Sequence, residues 1–107
     1  MRVLKLIILS ASVFLSCAVK ADTIENAYVI CYALDGSGAL SEECKISGWN
    51  QSIDISIDTS ASKAKEFCAA VVQLAKKERM KFGKDWKIRV YSPFSNGKTI
   101  AFCSLPQ

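Results

Sequence analysis

The number and placement of the cysteines constrain this fold more than any other feature of the sequence. The chain has 107 residues and five cysteines, of which Cys17 lies in the N-terminal segment. The other four are Cys31, Cys44, Cys68 and Cys103. An even number of cysteines in a short exported domain is typical of a disulfide framework, so we expect two disulfides.

The N-terminal segment is typical of a secretion signal. A basic start at Arg2 and Lys5 precedes an apolar run too short to span a bilayer comfortably, and Ala21 is a small residue suited to cleavage. We therefore interpret residues 1–21 as a cleavable signal peptide and residues 22–107 as a single disulfide-stapled domain. This interpretation predicts a periplasmic or secreted location.

A second interpretation of the N-terminus is a lipoprotein anchored at Cys17. Residues 14–17 resemble a bacterial lipobox, although the leucine lies one place too close to the cysteine. Lipidation would consume the Cys17 thiol, so four cysteines remain for disulfides in either case.

Charge is distributed unevenly along the expected mature chain. Loss of the three basic residues of the signal reduces the 14 basic side chains to 11, against 10 acidic ones. Residues 22–60 carry seven acidic groups against one lysine, whereas residues 61–107 carry ten basic groups against three acidic ones. Such a molecule can orient on a charged partner, or its two halves can pair with each other.

Residue patterns predict an α+β fold. Residues 26–34 are rich in β-branched and aromatic side chains and predict a first strand. Residues 51–58 alternate isoleucine with polar residues and predict a strand with one buried face. Residues 59–62 offer N-cap side chains for an amphipathic helix that reaches about Lys81, with Gly83 just past its end.

The C-terminal part of the sequence predicts a β-hairpin. Residues 86–91 alternate again, residues 92–98 contain turn-forming residues, and residues 99–105 form the returning strand. We expect a small antiparallel sheet in the order β-β-α-β-β, with one amphipathic helix packed on one face. A further short strand at residues 45–49 stays open.

Four cysteines permit three disulfide pairings, and the predicted faces favour one of them. Cys68 lies on the apolar stripe of the helix, and Cys103 lies on the last strand. Their pairing would join the helix to the sheet and would leave Cys31 to pair with Cys44. We therefore expect the disulfides Cys31–Cys44 and Cys68–Cys103.

The sequence contains no histidine. The commonest general base and transition-metal ligand is therefore missing, and oxidised cysteines provide no thiolates for zinc. Asp54 and Asp58 share a strand face and suggest a cation site or an acid/base pair, but simple alternation of isoleucine with soluble residues also explains them. We expect a non-enzymatic protein without a metal or other cofactor, and an enzyme that uses carboxylates or a lysine is the alternative.

A basic and aromatic stretch near the C-terminus is the strongest indication of a binding surface. Phe94 lies on the predicted hairpin loop and would be an exposed anchor, unless it folds back over the end of the sheet. The neighbouring basic residues would steer a charged partner. The predicted partner-binding residues are Phe94, Tyr91, Lys84, Lys87, Arg89 and Lys98.

In size and expected compartment the sequence resembles the exported inhibitor, immunity and accessory proteins of bacteria. This general resemblance implies a non-enzymatic binding or envelope-assembly protein that contacts another envelope or secreted protein. The alternative is a secreted protein, antibacterial or toxin-like, that binds polyanions or anionic membrane surfaces through its basic C-terminal half.

Overall fold

The computed structural model describes residues 22–107, which form two helices and one four-stranded sheet. In chain order the elements are helix α1 (Asp22–Ser37), strands β1 (Lys45–Ser47) and β2 (Ser52–Ser56), helix α2 (Ala61–Lys77), and strands β3 (Lys87–Tyr91) and β4 (Thr99–Ser104). The predicted α+β class is confirmed. The predicted signal peptide and the alternative lipid site at Cys17 lie outside the described residues.

The segment predicted as the first strand is a helix. Residues 26–34 lie in the middle of α1, and the buried residues of this helix recur at helical spacing. They are Ala27, Ile30, Cys31 and Leu34. Of the β-branched and aromatic residues that favour a strand, Ile30 lies on this buried stripe, whereas Tyr28, Val29 and Tyr32 lie on the other sides of the helix and are exposed. Packing of the apolar stripe on the core therefore outweighs local strand propensity.

The sheet is mixed, with the strand order β1-β2-β3-β4. Strands β1 and β2 pair antiparallel, as do β3 and β4, but β2 and β3 run parallel. The prediction of an all-antiparallel sheet is therefore wrong. The reason is that α2 carries the chain back along the sheet, and such a crossover makes the strands on either side of it parallel. After α1, the elements do follow the predicted order β-β-α-β-β. The first strand of this order is β1, within residues 45–49, and not the strand predicted at residues 26–34.

Helix α2 begins as predicted and ends earlier than predicted. The Ser60 side chain accepts a hydrogen bond from the Lys63 backbone N–H at 3.3 Å, which caps the N-terminus. The last helical residue is Lys77, and Arg79 then adopts a left-handed backbone with φ of 57°. The predicted role of Gly83 at the helix end is therefore wrong.

The helix ends in a Schellman motif. Arg79 N–H donates to Lys76 O, and Met80 N–H donates to Ala75 O, which are the two hydrogen bonds of this motif. Met80 is partly buried against the core, so the chain turns inward directly after the helix.

Both helices pack on one face of the sheet. Their buried residues belong to the same core as the inward-facing residues of the central strands, Ile53, Ile55, Ile88 and Val90. The predicted disulfides are both confirmed. Cys31–Cys44 joins α1 to the residue that precedes β1, with a Cα–Cα distance of 5.3 Å, and Cys68–Cys103 joins α2 to β4 at 6.2 Å.

The two disulfides are compatible with an extracellular or periplasmic location. Neither helix within residues 22–107 has the length and apolar character needed to cross a membrane.

Candidate partner-binding surface

The face of the sheet that the helices leave uncovered carries three of the residues predicted for binding. On β3, Lys87, Arg89 and Tyr91 alternate with the buried Ile88 and Val90 and therefore point to the open face. At a rise of about 3.3 Å per residue, the row from Lys87 to Tyr91 is roughly 13 Å long. The row ends at the β3–β4 loop, residues 92–98.

Arg89 is held in place by its neighbours on this face. Its Nε donates to Asp54 Oδ1 and its Nη2 donates to Asp54 Oδ2, both at 2.8 Å. The Ser52 hydroxyl donates to the same carboxylate at 2.9 Å, and the guanidinium carbon lies 5.8 Å from the centre of the Tyr91 ring. The hydrogen bond to Asp54 raises the pKa of Arg89, against the lowering effect of burial. The positive charge is therefore balanced within the protein, which argues against the predicted steering role of Arg89.

The same ion pair bears on the carboxylate hypothesis. Asp54 accepts hydrogen bonds from Arg89 and Ser52, so its oxygens are already engaged. Asp58 lies exposed beyond the end of β2. From residue 22 onward, the structure contains no group of three or more acidic or cysteine side chains that could hold a metal ion.

The β3–β4 loop is fixed by its own hydrogen bonds. The Ser92 hydroxyl accepts from Phe94 N–H at 3.1 Å, and the Ser95 hydroxyl accepts from Ser92 N–H at 3.2 Å and donates to Ser92 O at 2.9 Å. Lys98 N–H donates to Ser95 O at 3.1 Å. Phe94 is 78% exposed at the tip of this loop and does not fold back over the sheet. The loop thus presents an aromatic side chain on a fixed backbone.

The other predicted basic residues lie at two different ends of the sheet. Lys98 lies on the same loop as Phe94. Lys87 Nζ instead donates to the Asn50 carbonyl at 3.0 Å, and the Lys84 backbone carbonyl accepts from Gln51 Nε2 at 3.2 Å, so both residues lie beside the turn between β1 and β2. Because β2 and β3 run parallel, this turn is at the opposite end of the sheet from the β3–β4 loop. The six predicted residues therefore do not form one compact site.

The surroundings of the β3–β4 loop are more acidic than the sequence suggested. A cavity of about 350 Å³ separates this loop from the segment between α1 and β1. Tyr91 and Pro93 line one side of it, and Glu42, Glu43 and Lys45 line the other. We call Phe94, Tyr91 and this cavity the loop surface.

Four exposed aromatic residues among residues 22–107 are not predicted from the sequence, and one of them is Phe102 on β4. Trp49, on the β1–β2 turn, is 95% exposed, and Tyr28 and Tyr32 are exposed on α1. The strand predicted for residues 26–34 does not reveal the flank that Tyr28 and Tyr32 share on a helix. The signal for Trp49 was its position between Gly48 and Asn50, which are typical turn residues.

The comparisons with known proteins give no relatives for this small disulfide-stabilised α+β protein. No protein-family model matches the chain, and no curated protein and no solved structure matches it either. The functional assignment therefore depends on the surfaces described above.

Proposed function

We propose that this chain is an exported, non-enzymatic binding protein of the inhibitor, immunity or envelope-assembly type. It contacts another envelope or secreted protein through the loop surface. The observation that carries this proposal is Phe94, which stays 78% exposed on a loop whose backbone is fixed by internal hydrogen bonds. An aromatic anchor on a preorganised loop loses little conformational entropy on binding, and such residues dominate protein interfaces.

The surroundings of Phe94 support a protein partner with a basic contact face. The adjacent cavity provides space for a partner side chain, and Glu42 and Glu43 border it. Complementary charges raise the association rate and select among partners. The partner residues nearest the cavity are therefore expected to be lysine or arginine.

The disulfides support the exported location. Two disulfides in a small domain are stable in the periplasm or outside the cell, whereas cytosolic thiols are kept reduced. The signal-peptide interpretation of residues 1–21 adds independent support from the sequence.

The proposal is tested by capture from an envelope extract on the immobilised, oxidised protein. We expect one protein to be retained near stoichiometrically through a high-salt wash, and we expect Phe94→Ala to abolish its retention. Phe102→Ala is the matched control, because Phe102 is also an exposed aromatic residue but lies on β4 outside the loop surface. A partner that binds the Phe94→Ala variant as well as the native protein would exclude Phe94 from the site.

A second candidate function is binding of polyanions or anionic membranes at the opposite end of the sheet. The observation that favours it is Trp49, which is exposed on the turn that the Lys87 side chain and the Lys84 backbone contact. Aromatic stacking beside lysines is typical of single-stranded nucleic-acid sites. Titration with single-stranded DNA and with phosphatidylglycerol vesicles tests this candidate, since such binding should fall steeply with salt and on Trp49→Ala. Binding that survives both changes would contradict it.

A further inference from the structure

Helix α1 carries more exposed apolar surface than its packing requires. Ile24, Tyr28 and Tyr32 recur every four residues and therefore lie along one flank of the helix. All three are exposed, with Tyr28 at 64% and Tyr32 at 85%. A row of large exposed side chains on so small a protein indicates an interaction surface.

This flank forms one wall of a groove, and strand β1 forms the other. The groove has a volume of about 540 Å³, with Tyr28 and Tyr32 on the helix side and Ile46 on the strand side. The Cys31–Cys44 disulfide joins the two walls, so their separation is covalently fixed.

The backbone of β1 has hydrogen-bonding groups available beside this groove. Ile57, just past the end of β2, donates its N–H to Tyr91 O at 2.9 Å. Because successive residues of a strand direct their backbone groups to opposite sides, the odd-numbered residues of β2 form backbone hydrogen bonds with β3, and the even-numbered residues form them with β1. Lys45 and Ser47 are in register with those even-numbered residues. Ile46 lies between them and therefore directs its N–H and C=O away from β2, toward the free edge of the sheet.

Acidic side chains mark one end of the groove. Cys44 lies two residues before Ile46, so its N–H also faces the free edge of the sheet. This N–H already donates to the Asp35 carboxylate at 2.8 Å. Glu43 borders the groove beside it. Among residues 22–107 neither Asp35 nor Glu43 forms a salt bridge, which leaves their charges available to a ligand.

We propose that this groove binds an extended peptide segment of a partner protein as an additional strand beside β1. The peptide backbone pairs with the N–H and C=O of Ile46, which is the β-augmentation mode of peptide recognition. Apolar peptide side chains contact Tyr28 and Tyr32, and a lysine or arginine of the peptide lies at Asp35 and Glu43. This site does not include Phe94 and shares Glu43 alone with the cavity of the loop surface, and it does not rest on the function proposed above.

The test is a random dodecapeptide library displayed on phage and panned against the oxidised protein. Enriched peptides are expected to alternate apolar residues with other residues and to contain lysine or arginine. A Tyr28→Ala/Tyr32→Ala double variant should weaken these peptides about tenfold or more, which corresponds to roughly 1.4 kcal/mol. Absence of enriched peptides, or binding that the double variant leaves unchanged, would overturn the proposal.

N-methylation tests the strand geometry directly. In an added strand, alternate peptide N–H groups face β1, so methylation of one alternating set should abolish binding and methylation of the other set should be tolerated. Equal tolerance at all positions would exclude strand addition.

Matched variants of the protein complete the experiment. Glu43→Lys should weaken the peptides severalfold, whereas Glu42→Lys should not, because Glu42 does not border this groove. Phe94→Ala should leave peptide binding unchanged, so failure of the groove and failure of the loop surface are distinguished. Loss of peptide binding on Phe94→Ala would overturn the assignment to a separate groove.

Discussion

Arg89 and Asp54 join the two parallel strands at the centre of the sheet through a bidentate ion pair. Both N–O distances are 2.8 Å, and the two side chains are only 24% and 20% exposed. The pair lies on the open face between the Ser52 hydroxyl and the Tyr91 ring. An ion pair with this geometry and this degree of burial contributes more to the free energy of unfolding than an ordinary surface salt bridge does.

Asp54→Asn should destabilise the protein by about 1.5–3 kcal/mol, because it leaves the Arg89 guanidinium partly buried without its carboxylate. Urea unfolding followed by circular dichroism measures the change. Glu42→Gln is the control, because it removes an exposed ion pair: Glu42 Oε2 lies 3.9 Å from Lys45 Nζ, and both side chains are mostly exposed. Its effect should stay below about 0.5 kcal/mol, and equal losses in the two variants would contradict this account.

The stability of the folded protein should vary little between about pH 6 and 9. Because Asp54 raises the pKa of Arg89, the stabilisation from this group is complete below the ordinary guanidinium pKa. It is lost only as the pH rises through the raised value, far above this range. The chain has no histidine, and its disulfide cysteines do not titrate. Calorimetry at several pH values checks this, and a step in the unfolding temperature near neutrality would refute it.

Removal of the two disulfides should have unequal costs. The loop closed by Cys68–Cys103 spans 35 residues and that closed by Cys31–Cys44 spans 13. The chain-entropy relation then gives losses of about 4 and about 3 kcal/mol for the two double alanine variants. Urea unfolding of each variant measures these losses. A larger loss for the shorter loop would show that unfolded-state entropy does not control the difference.

Phe94→Ala should leave the free energy of unfolding within about 0.5 kcal/mol of the native value, because the side chain is exposed. Phe82→Ala should cost about 3–5 kcal/mol, because Phe82 is buried in the core beside Trp86. Thermal or urea unfolding distinguishes the two. Marked destabilisation by Phe94→Ala would mean that the loop packs in solution.

Arg79→Gly should stabilise the protein by about 1 kcal/mol, because Arg79 has a left-handed backbone at the end of α2 and glycine adopts it without steric cost. Lys77→Gly places the same substitution in the last helical residue and should destabilise by about 0.5–1 kcal/mol. Opposite signs in urea unfolding would confirm the Schellman geometry, and destabilisation by both substitutions would contradict it.

Residue patterns within one segment correctly predicted the features of the fold that depend on that segment alone. The apolar stripe and N-cap of α2 are properties of one segment, and they placed Cys68 on the buried side, which led to both disulfides. Residues 26–34 carry strand-forming side chains, but their burial at helical spacing is decided by the surrounding core. The parallel pairing of β2 and β3 depends on the path of the chain through α2 and is not encoded in either strand.

The candidate site was predictable only in part, for the same reason. The hairpin sequence was sufficient to place Phe94 on a loop tip. Lys98 lies on the same loop as Phe94, but Lys84 and Lys87 lie at the other end of the sheet, because the four residue steps from Lys87 to Tyr91 cover roughly 13 Å. The engagement of Arg89 by Asp54 depends on register between strands 35 residues apart in sequence.

The Cys31–Cys44 disulfide makes the geometry of the groove depend on the redox state of these two cysteines. Before these thiols are oxidised, no covalent bond joins α1 to the segment that leads into β1. A chain still in a reducing compartment therefore lacks the fixed spacing of the two walls. Under the proposed export, the disulfide would form and fix the groove only after the chain leaves the reducing compartment.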